Sequence, residues 1–162
     1  LEWYTRFPDA TLSAIVIAST SQLGAQAIAC DAVGRHAIHA DPHFRHGDYY
    51  EGERPAQGLA IARMVGHITY LSDESMRMKF GRALRHKNSY TYDFKSEFSV
   101  ETYLDYQGEQ FVNRFDANSY MYITKAIDYF DLAGPYGSLD NALARGRGKL
   151  MILSYTSDWL YP

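Results

Sequence analysis

The chain has 162 residues, 46% hydrophobic, 15% aromatic and 22% charged, an ordinary globular composition at the size of one domain. Sixteen Lys and Arg against nineteen Asp and Glu leave a net charge of −3, which argues against an electrostatic grip on nucleic acid or an anionic membrane. No stretch approaches ~18 apolar residues, and a single cysteine, Cys30, excludes an internal disulfide or a multi-thiolate zinc site, so a reduced, cytoplasmic setting is expected.

In chain order, Leu1 to Phe7 reads as the tail of a helix closed by Pro8-Asp9. The β-branched apolar run Ala14-Ile15-Val16-Ile17-Ala18 suits a strand buried on both faces of a parallel sheet. Ser19-Thr20-Ser21 can cap a helix from Gln22 to Ala40, which Asp41-Pro42 ends. After a loop over Gly47–Gln57, helical periodicity resumes from Gly58 to Leu71. Ser72 then caps a further helix reaching about Arg85. His86 to Thr91 is polar loop. Amphipathic helices follow over Val100–Arg114 and Asn118–Phe130, the second with Asp116 as N-cap. Gly134 to Gly137 breaks the chain, Ser138–Ala144 is a short helix, and Lys149–Tyr155 is a second strand. The chain opens on Leu1 without a signal-peptide pattern and stops at Pro162 directly after that strand, so both ends read as cut from something longer.

Roughly 130 mostly helical residues separate the two strands, far more than the ~30 of one βαβ crossover. The expected architecture is therefore α/β: a parallel sheet interrupted by a helical insertion from about Leu23 to Arg145. An all-helical domain, with both apolar runs as buried helix, is the alternative. The fourteen tyrosines favour packed helices or a lined cavity.

Three places offer chemistry. Asp158 lies just beyond the second strand, where open α/β sheets bind ligands and an acid can orient a histidine; it can equally cap a turn. Arg63, His67 and Tyr70 share one helical face at i, i+4 and i+7, so a guanidinium and a phenol could grip a carboxylate, or the face could be a solvated polar stripe. His36, His39 and His43, with His46 close behind, have a spacing suggestive of metal, but Asp41-Pro42 ends the helix before His43, so no metal is expected. Gly146-Arg147-Gly148 precedes a strand and is the wrong way round for a phosphate loop, and no Gly-x-Ser-x-Gly elbow occurs.

Several blocks are together more specific. Arg63-Met64-Val65-Gly66-His67-Ile68-Thr69-Tyr70-Leu71-Ser72-Asp73 resembles the signature of the homoserine O-acyltransferases. Val100–Leu104 with Gln107-Gly108, Arg114–Asn118 with Tyr120, Lys125–Asp131 and Thr156-Ser157-Asp158-Trp159 are similar to that family in the same order. The resemblance implies an α/β-hydrolase core in segments 1–22 and 146–162, with residues 23–145 as a helical lid. It makes Asp158 the acid of a Ser-His-Asp triad whose serine and histidine lie outside these residues, so the 162 residues alone should show no turnover. It assigns Arg63 and Tyr70 to binding of the amino-acid acceptor and leaves His67 to packing within the lid. The implied reaction is ping-pong transfer of an acetyl group from acetyl-CoA to the hydroxyl of L-homoserine, in methionine biosynthesis. No bound cofactor is implied, and the lid helices are expected to pair two copies into a homodimer. Within the class, succinyl-CoA as donor, serine as acceptor, or an esterase using water are the rivals. From another class comes a non-catalytic helical interaction module.

Overall fold

The computed structural model describes residues 1–85 and 89–161. Its elements are α1 (Glu2–Arg6), β1 (Ser13–Ile17), α2 (Ala25–Ala40), α3 (Ala56–Thr69), α4 (Asp73–Lys79), α5 (Ser99–Val112), α6 (Ala117–Tyr129), α7 (Leu139–Leu143) and β2 (Lys149–Leu153), with single 3₁₀ turns at Pro8–Ala10, Arg45–Gly47 and Gly134–Tyr136. They fall into two compact units, Leu1–Ile28 with Thr124–Pro162, and Ala29–Ile123.

In the first unit β1 and β2 pair in parallel, Ser13 opposite Lys149 through Ile17 opposite Leu153. This pairing removes the all-helical alternative. Gly148 lets the strands' entry close up: a Cβ there would meet the Thr11 carbonyl oxygen at 2.5 Å. The buried Tyr4 donates its hydroxyl to the Gly148 carbonyl at 2.8 Å and fastens α1 to the same place. The expectation of strands buried on both faces does not hold within this chain. Only Val16 is buried, and Ile15, Ile17, Met151, Ile152 and Leu153 are exposed. Two strands cannot cover either face of their own sheet.

The second unit is helical. Ile38, Phe44, Tyr49, Leu59, Ala62, Phe111 and Ala117 form its buried core, with Val112, Phe115, Tyr120 and Met121 packed around it. Small residues set the spacing of the helices. A Cβ on Gly58 of α3 would stand 2.5 Å from the Ala37 carbonyl oxygen of α2, so the two backbones touch there. The Gly58 amide donates to Oδ2 of the buried Asp41 at 2.9 Å, and Oδ1 of that carboxylate accepts from the His43 amide at 2.9 Å. Asp41 thus ends α2 and satisfies an otherwise orphaned donor at the start of α3.

Two helix limits differ from the sequence reading. Ser19-Thr20-Ser21 does not cap α2; Thr20 closes a local turn on Gln22, and the helix begins at Ala25. Ser72 does cap α4, its Oγ accepting the Ser75 amide at 3.2 Å. That helix stops at Lys79 instead of about Arg85, because Gly81 takes a left-handed φ of +50° and returns its amide to the Arg77 carbonyl. The chain then turns through an isolated antiparallel bridge between Leu84 and Phe98 into α5. Of the loop read over His86–Thr91, residues 86–88 lie outside the described residues. No helix among the described residues is long and apolar enough to cross a membrane.

Candidate functional site

The helical unit brings Arg63 and Tyr70 together. Leu59 and Ala62 bury one stripe of α3, which leaves Arg63 half-buried beside it. The Arg63 Nη1 donates to the Tyr70 hydroxyl oxygen at 3.1 Å, and its guanidinium carbon lies 4.8 Å from the Phe111 ring centre and 5.3 Å from that of Tyr70. Arg63 Nε is buried with no hydrogen-bond partner among the described residues, and no carboxylate there pairs with this cation. Because Tyr70 accepts from Arg63, its own proton remains free to donate. Tyr70 is 57% exposed, so the pair opens to solvent. A fixed guanidinium with spare donors and an adjacent phenol suits a carboxylate ligand.

His67, one turn beyond Arg63, is buried. Its Nδ1 lies 2.9 Å from the Tyr103 hydroxyl of α5, and its ring meets Tyr70 and Tyr103 edge-on at 5.3 and 5.5 Å. Burial, and after it the charges of Arg63, Lys79 and Arg114, hold the imidazole below its ordinary pKa, so it is neutral near pH 7. The pairing with Tyr103, 36 residues on, was beyond the reach of a helical-face argument made on α3 alone.

Asp158 sits in the strand-bearing unit. Its amide donates to the Tyr155 carbonyl at 3.0 Å, and its Oδ1 accepts the amides of Leu160 and Tyr161, each at 2.9 Å. The turn-capping alternative is thus realised, and it consumes one carboxylate oxygen. Oδ2 has no hydrogen-bond partner among the described residues. A half-buried carboxylate clamped through one oxygen presents the other in a fixed direction. Tyr161 of the same turn helps line a cavity of about 380 Å³ with Ile17, Ala18, Leu23 and Phe130, at the carboxyl end of β1. Ala18 there has a φ of +45°, a strained value for a residue with a Cβ, as its amide reaches the Leu153 carbonyl.

Several of the remaining candidates have structural roles. His43 pairs with Glu53 at 2.9 Å and with Asp41 at 3.4 Å, and the His39 ring packs edge-on against Phe44. Among the described residues no three His, Cys, Asp or Glu side chains converge as metal ligands. Arg147, between the two glycines, pairs with Asp9. Asp116 caps α6 as read from the sequence, its Oδ2 accepting the Ser119 amide at 2.7 Å, but it also receives the Tyr49 hydroxyl at 2.5 Å. Burial, its hydrogen bond to Asp116 and the negative charge of that carboxylate drive the Tyr49 phenol well above its usual pKa. Burial acts to raise the Asp116 carboxyl too, yet the hydrogen bonds from Tyr49, Ser119 and Tyr50 outweigh it and hold it below the ordinary carboxylate range.

Three comparisons bear on this arrangement. No family model matches the chain. It is 52% identical over 161 residues to a homoserine O-acetyltransferase of Methanococcus vannielii, covering 99% of this chain and 32% of that protein. It is 54% identical over 162 residues to that of Methanohalobium evestigatum (100% and 33%), and 51% identical over 168 residues to that of Desulfotalea psychrophila (100% and 42%). The chain therefore spans about a third of the length of the first of these relatives. Among solved structures, homoserine O-acetyltransferase from Bacillus anthracis aligns with a TM-score of 0.86 at 23% identity, covering 99% of this chain and 43% of that one. An acetylester hydrolase from Corynebacterium glutamicum aligns with a TM-score of 0.76 at 24% identity, covering 99% and 43%. The fold class is accordingly α/β, a portion of the α/β-hydrolase fold, as the sequence resemblance implied.

Proposed function

Because this chain is homologous along its whole length to one segment of the homoserine O-acetyltransferases, we propose that it is the acceptor-binding and triad-acid segment of an enzyme that acylates the hydroxyl of L-homoserine. The observation that carries the reading is the Arg63–Tyr70 pair, a cation whose buried Nε has no partner among the described residues and a phenol with its proton to spare. It fits the carboxylate of a small amino acid. In this reading residues 1–22 and 146–162 belong to the hydrolase core, and residues 23–145 form the lid. The exposed apolar faces of β1 and β2 are those that the flanking helices of such a core would cover.

The roles follow from the chemistry. A serine outside this chain attacks the thioester carbonyl of acetyl-CoA, with a histidine, also outside it, as general base. Asp158 Oδ2 accepts the imidazole N–H, fixing its tautomer and stabilising the imidazolium, while Leu160 and Tyr161 hold Oδ1. CoA leaves, homoserine enters with its carboxylate on Arg63 and Tyr70, and its γ-hydroxyl takes the acetyl group in a ping-pong cycle. We place the enzyme in methionine biosynthesis, in the cytoplasm, working without a bound cofactor, as a homodimer joined through lid helices.

The test is release of CoA thiol by the full-length protein. Acetyl-CoA should give homoserine-dependent release that exceeds release from succinyl-CoA. Arg63→Lys, which loses the two-pronged geometry, should raise the homoserine KM by about tenfold or more. Release that ignores homoserine would instead mark an esterase, and an unchanged KM in Arg63→Lys would remove the carboxylate role.

A further inference from the structure

Two buried nitrogens one turn apart on α3 have no hydrogen-bond partner among the described residues: Arg63 Nε and His67 Nε2. Residues four apart lie on one helical face, and buried polar atoms without partners are rare enough to point to a missing ligand atom. The reading above uses Arg63 but leaves His67 idle. Yet this imidazole is only 9% exposed and is held on two sides by the rings of Tyr70 and Tyr103. Packing alone would be served as well by an aromatic ring with no nitrogen to satisfy.

The surrounding charges indicate what kind of atom is missing. The charged groups facing His67 are Arg63 on its own helix, Lys79 at the end of α4 and Arg114 just beyond α5. Lys79 Nζ stands 4.4 Å from the Tyr103 ring centre, and Arg114 lies 5.9 Å from the same Phe111 ring that Arg63 covers at 4.8 Å. All three are cations, and no carboxylate pairs with them among the described residues. Such a field repels a cationic ligand group and attracts an anionic one. Towards an anion, Nε2 must carry the hydrogen, and it does so when the Tyr103 hydroxyl donates to Nδ1 across their 2.9 Å contact.

We propose that His67 Nε2–H is a third donor, beside Arg63 and Tyr70, to the carboxylate of the acceptor amino acid, with Tyr103 as the positioning residue that sets the imidazole tautomer. This rests on the reading of Arg63 and Tyr70 as the carboxylate site. It departs from the packing role that the family resemblance implied for His67. The acceptor carboxylate then meets a guanidinium, a phenol and an imidazole, three donors of different reach, which favours a single carboxylate orientation.

The experiment measures KM and kcat in the full-length protein at saturating acetyl-CoA, with two acceptors, homoserine and homoserine amide, the second lacking the anion. His67→Phe keeps the ring packing and should raise the homoserine KM by about tenfold or more, with a smaller change in kcat. The KM for homoserine amide should move less than twofold, which a merely structural loss would not reproduce. His67→Gln, whose side-chain amide restores an N–H donor, should recover most of the homoserine KM. Tyr103→Phe, which removes only the hydroxyl, should raise it severalfold, and this variant decides the matter if His67→Phe fails to fold. A homoserine KM within twofold of wild type in His67→Phe or Tyr103→Phe, while Arg63→Lys raises it, overturns the role of His67 alone. An unchanged KM in Arg63→Lys as well overturns the carboxylate site itself.

Discussion

The close contact between α2 and α3 gives opposite expectations for two glycines on the same helix. At Gly58 an added methyl would sit 2.5 Å from the Ala37 carbonyl oxygen and 2.6 Å from the Ile38 Cα, both backbone atoms that cannot rotate aside. At Gly66 the nearest atom is the Tyr70 hydroxyl oxygen at 3.5 Å, an ordinary contact. Both lie inside α3, so helix propensity alone favours alanine at each by roughly 1 kcal/mol. At Gly58 that gain is set against overpacking, which costs about 1–3 kcal/mol and reaches its upper end when backbone must move. The Gly58 amide is also tied to Asp41 Oδ2 at 2.9 Å, which resists the shift. The net expectation is a loss of about 2 kcal/mol for Gly58→Ala and a gain of about 1 kcal/mol for Gly66→Ala. For a protein of the relatives' length, with an unfolding entropy that scales with residue number, this corresponds to a Tm roughly 2 °C lower for the first and roughly 1 °C higher for the second. Arg63 rides five residues along the displaced helix, so the homoserine KM should rise in Gly58→Ala. Equal upward shifts of Tm in both variants would refute the reasoning, because they would mean that α3 does not rest backbone-to-backbone on α2.

Other outcomes follow from the same geometry. Asp158→Asn in the full-length protein should lower kcat roughly 10⁴-fold, the size of the corresponding change in serine proteases, and a tenfold effect or less in steady-state assays would remove Asp158 from the triad. Tyr70→Phe, which deletes a single donor at an exposed position, should raise the homoserine KM by about five- to tenfold without lowering Tm. His67 has its folded pKa lowered, so the stability it contributes is complete above its unfolded value near 6.5 and falls as pH drops below it; in urea titrations between pH 7.5 and 5.5 His67→Gln should flatten that dependence. Asp116 is also depressed, so its contribution is present above the usual carboxylate pKa near 4 and disappears as pH falls through its lower folded value; Asp116→Asn should weaken the acid sensitivity of unfolding.

Much of the architecture was legible because its signals are local. The two apolar runs became paired strands, Ser72 and Asp116 became caps through their own side-chain oxygens, and α3, α5 and α6 follow their apolar periodicity within about two residues. The misreadings share a cause. Gly81 closes α4 by adopting a conformation that residues around it do not announce, and the Ser19-Thr20-Ser21 run satisfied a local turn before a helix could use it. At the site, the i, i+7 spacing of Arg63 and Tyr70 was enough to foresee that they meet. It was not enough to foresee Phe111 beneath the guanidinium or Tyr103 on His67, since both come from α5 and depend on how closely glycine and alanine let that helix approach. Gly108 is the reason on that side: a Cβ there would stand 3.0 Å from the Ala60 Cβ.

The parallel register of β1 and β2 also bears on the order in which the chain assembles. Ser13 and Lys149 are 136 positions apart, so the sheet cannot nucleate from neighbours in the way a hairpin does. Closing so long a loop costs about 2 kcal/mol more in chain entropy than closing one of roughly ten residues. The helical contacts within Ala29–Ile123 span shorter separations and form sooner. Condensation of that segment shortens the free chain that must be searched before the strands meet. The sheet is thus a late product of folding, and a ribosome must release Leu153 before β1 can find its partner.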